Sequence, residues 1–137
     1  QMTTSPSVSA TSSSQAAPQA LYTNSDYGFS VDFGSWGMPK VTDVTATYKE
    51  TMPVKSVWSF VASNGDDRVI TLYAVPLNSL EEPAITDAPM TLVKKNATYG
   101  FFYSSSGDYS DYPGMEDAKW DAIYRESKQI IKTFKLL

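Results

Sequence analysis

The sequence predicts an α+β fold in which an antiparallel sheet of about five or six strands carries a C-terminal helix packed on one face. Three observations predict it. Large apolar residues alternate with small or polar ones at Tyr27, Phe29, Val31 and Phe33. Two β-rich runs flank Asn64-Gly65-Asp66-Asp67, and apolar residues recur every three or four positions between Trp120 and Ile131. Alternation marks a strand with one buried face, whereas the longer spacing marks one stripe of a helix.

Residues 1–20 are nearly all Ser, Thr, Ala, Gln and Pro, and the first charged side chain is Asp26. So little apolar surface cannot offset the entropy of ordering the chain, which predicts a disordered tether followed by one domain at 21–137. The first residue is Gln and not Met, and a Ser/Thr/Pro spacer at that end fits a processed or lipid-anchored surface protein.

The strand at 27–33 is broken by Gly34-Ser35-Trp36-Gly37-Met38-Pro39, and 44–48 reads as a second, weaker strand. Runs 54–62 and 68–75 then form a hairpin, because Asn and Gly accept the backbone that tight turns need. An even-numbered loop between them places Trp58 and Phe60 with Val69, Thr71 and Tyr73, and places Val57 and Val61 with Ile70, Leu72 and Ala74. Both faces are apolar, so the hairpin belongs inside a sheet covered on both sides.

From Pro76 to Pro89 the pattern dissolves into a long connection with at most one helical turn near Glu81 and Glu82. Short strands at 91–93 and 98–103 follow, joined across Lys94-Lys95-Asn96-Ala97, and 104–114 is a polar, acidic loop. The helix starts near Met115. Trp120, Ile123, Tyr124, Ser127, Ile130 and Ile131 form its stripe, with acidic residues early and basic residues late, as the macrodipole favours. Thr133-Phe134-Lys135-Leu136 is a short final strand.

Composition narrows the chemistry. Of 137 residues 42% are hydrophobic and 13% aromatic, enough for a packed core. Eleven Lys and Arg against 15 Asp and Glu give a net charge of −4, which repels phosphate backbones and anionic lipid. There is no Cys and no His, which removes disulfides, thiolate nucleophiles, imidazole bases and Cys- or His-ligated metals. No apolar run approaches the roughly 20 residues that cross a bilayer, and a soluble body is expected.

The two ends of the folded part resemble a known family. Tyr22-Thr23-Asn24 ahead of the 27–33 strand, with Trp36 just after it, is similar to the opening of PsbP-like domains. Lys128-Gln129-Ile130-Ile131-Lys132-Thr133-Phe134-Lys135 is similar to their helix-to-strand ending, and Trp120 and Tyr124 sit where such helices pack. The resemblance covers roughly a quarter of the chain. It implies a layered α/β/α arrangement and a non-catalytic accessory or binding role outside the cytoplasm, and no catalytic residue carries over. Gly34 departs from it, since these domains more often turn with Pro there.

Two groups of residues are candidate sites. Trp36, Tyr103, Tyr109 and Tyr112 could form an aromatic platform for a sugar ring or a peptide, although the same residues could fill the core. Asp108 and Asp111, with Glu116 and Asp117, could offer oxygen ligands to calcium, although the spacing is not that of an EF-hand and capping of the helix explains the same acids. Asp66 and Asp67 fit turn chemistry better than a catalytic carboxylate pair. Asn96-Ala97-Thr98 matches a glycosylation sequon. The function expected is that of a non-enzymatic, extracytoplasmic domain, surface-tethered or periplasmic, binding a protein or small ligand. No nucleic acid is expected as a partner, and the membrane is met only through a lipid anchor upstream of residue 1. A carboxylate-dependent hydrolase and a calcium-stabilised adhesion module are the alternatives.

Overall fold

The computed structural model describes residues 20–111 and 117–137, with side chains at all of these except 109–111 and 117. Eight strands form two antiparallel sheets, one of five strands and one of three, so the expected single sheet is accompanied by a second, smaller one. The small sheet holds β1 (Leu21–Asn24), β2 (Phe29–Asp32) and the closing β8 (Lys135–Leu136), with β2 in the middle. The large sheet runs β3 (Lys40–Asp43), β4 (Ser56–Val61), β5 (Val69–Pro76), β7 (Tyr99–Ser105) and β6 (Thr91–Lys95), in that spatial order. Helix α1 (Thr45–Lys49) follows β3, the single turn α2 (Pro83–Thr86) follows β5, and α3 (Asp117–Ile131) follows β7.

The alternation along β5 divides the interior in two. Ile70, Leu72 and Ala74 face one way and pair with Ser105, Tyr103 and Phe101 of β7. With Trp58 and Phe60 they meet β2 and α3 in a cluster that includes Phe29, Val31, Trp36, Ile123, Ile130 and Phe134. Phe29 is the centre of this cluster: its ring stacks on Phe134 at 5.2 Å and tilts against Phe101 at 5.3 Å and Trp58 at 5.5 Å. Tyr73 and Val75 face the opposite way, with Val57, Phe102, Val54 and Ile85. The sheet is therefore apolar on both sides and covered on both, as the hairpin pattern implies.

The facing within that hairpin is a correction. Trp58 pairs with Leu72 and Phe60 with Ile70, while Val57 pairs with Tyr73, so Trp58 and Tyr73 lie on opposite faces. The reason is the loop. Ala62 N–H still bonds to the Arg68 carbonyl, leaving residues 63–67, an odd number, and the turn is closed by Arg68 N–H to the Gly65 carbonyl at 3.1 Å. Among the described residues the glycines with positive φ are Gly28, Gly34 and Gly37, so Gly65 does not adopt the left-handed backbone of a two-residue hairpin turn. Asn64 is spent elsewhere: its Nδ2 donates to the Ser35 carbonyl at 3.0 Å and docks the loop on the turn after β2.

The weak strand expected at 44–48 is a helix instead, and the strand lies just before it at Lys40–Asp43. Asp43 Oδ1 accepts the Thr45 N–H at 2.9 Å, which turns the chain out of the sheet, and these bonds hold the Asp43 carboxyl below its ordinary pKa. The exit of β2 also has a physical cause. Gly34 sits at φ 54, a left-handed backbone closed to proline, whose ring fixes φ near about −65°. Helix α3 and the short β8 lie where the sequence places them, and Asp121 and Arg125 form the expected i,i+4 pair at 2.9 Å.

Candidate functional site

On the Tyr73 face, the cover is incomplete. A cleft of about 670 Å³ opens between Tyr48 of α1, the Thr51 and Met52 turn, α2 with the chain to Met90, and the end of β7. Its position follows from the sequence. Tyr73 supplies a large ring from the central strand, but across the next register on the same face lie only Ser59, Thr71 and Ser104, side chains too small to fill the space above them. Pro83 sits in the first turn of α2 and Pro89 follows it, so this segment cannot continue as a helix over the gap. The remaining walls are Ala84, Ala88, Asp87, Ser105 and Asp108.

Aromatic, methionine and proline surface dominates, with a few polar groups at one end. Tyr48 and Tyr73 meet edge to face at 5.4 Å. Tyr73 Oη and Ser104 Oγ are 2.9 Å apart and share a hydrogen bond. Burial pushes the Tyr73 phenol far above the ordinary tyrosine range, the Ser104 bond opposing it, so Tyr73 stays a neutral hydroxyl. Two hydroxyls joined by one bond carry two hydrogens, and one is left over for solvent or a ligand.

Asp108 stands at the other side of the Ser104–Ser105 strand end. Its Oδ2 accepts the Ser105 N–H at 2.9 Å, while Ser105 Oγ accepts the Gly107 N–H at 3.0 Å. This reciprocal arrangement is a capping box, and it starts the 3-10 turn Ser106–Asp111. Burial raises the Asp108 carboxyl above its usual value, opposed by the Ser105 bond and by the Lys128 charge. Ser105 also anchors the site to α3: its hydroxyl donates to Ser127 Oγ at 2.6 Å, and Ser127 donates to the Ile123 carbonyl at 2.7 Å.

The residues singled out from the sequence do not come together here. Trp36 is 1% exposed and belongs to the other core, with its Nε1 donating to Glu126 at 2.8 Å. Tyr103 is 8% exposed in that same cluster, its phenol pKa raised by burial. Neither offers an open ring face, so the platform is corrected at both positions: alternation on β7 and the fold of the β2 exit turn them inward. Tyr109, Tyr112 and Asp111 have side chains outside the described residues. Among the described residues, no three Asp, Glu, His or Cys side chains converge as a metal site would require, and Asp108 acts as a cap. Asp67 pairs with Lys119 at 2.5 Å, and Asn96 Oδ1 accepts the Thr98 and Tyr99 N–H groups at the β6–β7 hairpin tip.

A smaller cleft of about 330 Å³ lies between the β2 exit and α3. Its carboxylates are committed to the fold. Asp32 Oδ1 accepts the Ala20 and Gly34 N–H groups, and Glu126 accepts both Trp36 Nε1 and Arg68 Nε at 2.8 Å. The Tyr73 cleft is about twice as large. Comparison of the chain with protein-family models, with curated proteins and with solved structures finds no match to any of them.

Proposed function

We propose that the domain acts by binding and not by turnover, and that the Tyr73 cleft holds its ligand. The observation that supports this reading is the cleft itself: about 670 Å³, walled by Tyr48, Tyr73, Met52, Met90, Pro83 and Pro89, with a few polar groups converging at one end. Sites for small molecules have this size and this division between apolar wall and sparse polar anchors. The ligand is a small amphiphile whose apolar body lies against the methionines and rings while its polar end meets Ser104 and Asp108. The likeness of the chain's two ends to PsbP-like accessory domains, and with it a tethered, extracytoplasmic setting, is part of the same proposal.

The test uses N-phenyl-1-naphthylamine, a neutral probe whose emission rises in apolar surroundings. Saturable binding is expected, with methyl shifts at Met52 and Met90 and none at Met38, which is exposed outside the cleft wall. Ala84→Trp, at an exposed position in the wall, fills the cleft without touching either core and abolishes the signal. Equal probe binding by the two proteins, or shifts confined to Met38, sinks the assignment.

A further inference from the structure

We infer that the ligand of the Tyr73 cleft is a small organic ammonium ion: an apolar, ring-sized body carrying one positive charge. This rests on the reading of the cleft as a binding site and adds the chemical class.

Three features of the wall carry the inference. First, the charged side chains in it are Asp87 and Asp108, and every Lys and Arg lies outside it. An anionic ligand therefore meets like charge from two exposed carboxylates, of which Asp108 is partly offset by Lys128. A neutral ligand gains nothing from the pair, and a cation gains from both. Second, the half-buried Tyr48 lines this space beside the buried Tyr73, and a cation held within about 6 Å of a tyrosine ring is attracted by the negative face of its π system. Third, the paired Tyr73 and Ser104 hydroxyls offer oxygen lone pairs to an ammonium N–H, and burial keeps Tyr73 a neutral hydroxyl.

The rest of the wall selects against a bare metal cation. Met52, Met90, Pro83, Ala84, Ala88 and Pro89 give no oxygen ligands, and the cleft has far more volume than a desolvated ion fills. They do fit a hydrocarbon body, since methionine adapts its shape to whatever lies on it. Lys128 on α3 partly offsets the Asp108 charge from outside the wall, which moderates the preference without reversing it.

The experiment titrates the full chain with three ligands of matched shape: 1-naphthylmethylamine, 1-naphthylmethanol and 1-naphthylacetate. The amine is expected to bind at least tenfold more tightly than the alcohol, and the carboxylate most weakly. Asp87→Asn with Asp108→Asn is expected to remove the amine's advantage while leaving the alcohol's affinity within twofold. Asparagine keeps an oxygen at 108 for the Ser105 N–H, so the cap survives. Asp26→Asn, in the β1–β2 turn, removes one negative charge outside the cleft and leaves the preference intact. If the alcohol or the carboxylate matches the amine, the ammonium class is wrong and the cleft remains a binding site. A preference that persists in the double variant, or is lost in Asp26→Asn, overturns the assignment to these two carboxylates. Failure of all three ligands to bind overturns the binding reading itself.

Discussion

Replacing Gly107 by alanine pushes a methyl group into the backbone of α3. A Cβ built there collides with the Tyr124 backbone nitrogen and Cα and stands 2.9 Å from the Ile123 carbonyl carbon, all of them main-chain atoms that no rotamer change can move. The 3-10 turn and the helix must separate by on the order of an ångström, the kind of overpacking that costs about 1–3 kcal/mol. That separation also stretches the Ser105–Ser127 hydrogen bond that joins the turn to the helix, a buried bond that contributes about 1 kcal/mol. The two effects together predict a loss of about 3 kcal/mol. For a domain of this size, this corresponds to a melting temperature lower by roughly 12 °C. Urea unfolding followed by tryptophan fluorescence measures the loss directly, with Gly65→Ala as the control. A Cβ at 65 has as its nearest neighbour Arg68 Nη1 at 3.5 Å, an ordinary van der Waals contact, and that variant stays within about 0.5 kcal/mol of wild type. A Gly107→Ala protein as stable as the control refutes the close packing of turn on helix.

Phe29→Ala removes the ring on which Phe134, Phe101 and Trp58 converge and is expected to cost about 3–5 kcal/mol, read as a lower urea midpoint. Ser127→Ala leaves the buried Ser105 O–H without its acceptor and costs about 2 kcal/mol, whereas Ser127→Cys restores part of the loss. Glu126→Ala unpairs both Trp36 Nε1 and Arg68, a loss of about 1 kcal/mol once its partial solvent exposure is allowed for. The Arg68 bond, then the Trp36 bond, hold the Glu126 carboxyl below its ordinary value of 4.5, so its contribution is complete above that pH and fades as pH falls through the lowered value. Wild type and Glu126→Ala should therefore converge in stability as pH falls below that lowered value. Amine affinity falls on acidification and begins to do so above the usual aspartate range, because burial raises Asp108; Tyr73 and Tyr103, which also face it, stay neutral, and Lys128 stays charged.

Periodicity made the sheet and the last helix legible. Phe29, Val31 and Phe33 are buried as their alternation requires, and Ile123, Ser127 and Ile130 form the inner stripe of α3. The register of the central hairpin was not legible, because an Asn-Gly pair also serves in a five-residue loop when Asn64 has a distant carbonyl to reach. That single parity reverses which face Tyr73 occupies, and the site follows Tyr73. Tyr48 was hidden for a second reason: β-branched threonines around it read as strand, while Asp43 starts a helix by a bond that propensity does not register. Trp36 shows the opposite limit. An isolated tryptophan next to glycines looks like an exposed anchor, and only the pairing of its indole with Glu126, ninety positions on, shows that it closes a core. Of the site residues named from the sequence whose side chains are described, Asp108 alone is placed in the cleft wall, and its role there begins as a cap.

The partition that β5 and β7 make through the middle of the molecule has an evolutionary corollary. Neighbouring positions such as Leu72 and Tyr73, or Tyr103 and Ser104, answer to different masters: one sustains the aromatic mass shared with β2 and α3, the other decorates a chamber the fold can spare. Substitutions at every second residue can thus retune what the chamber accepts while the thermodynamic burden rests on the residues in between. Such a scaffold can diverge in specificity without first having to become more stable.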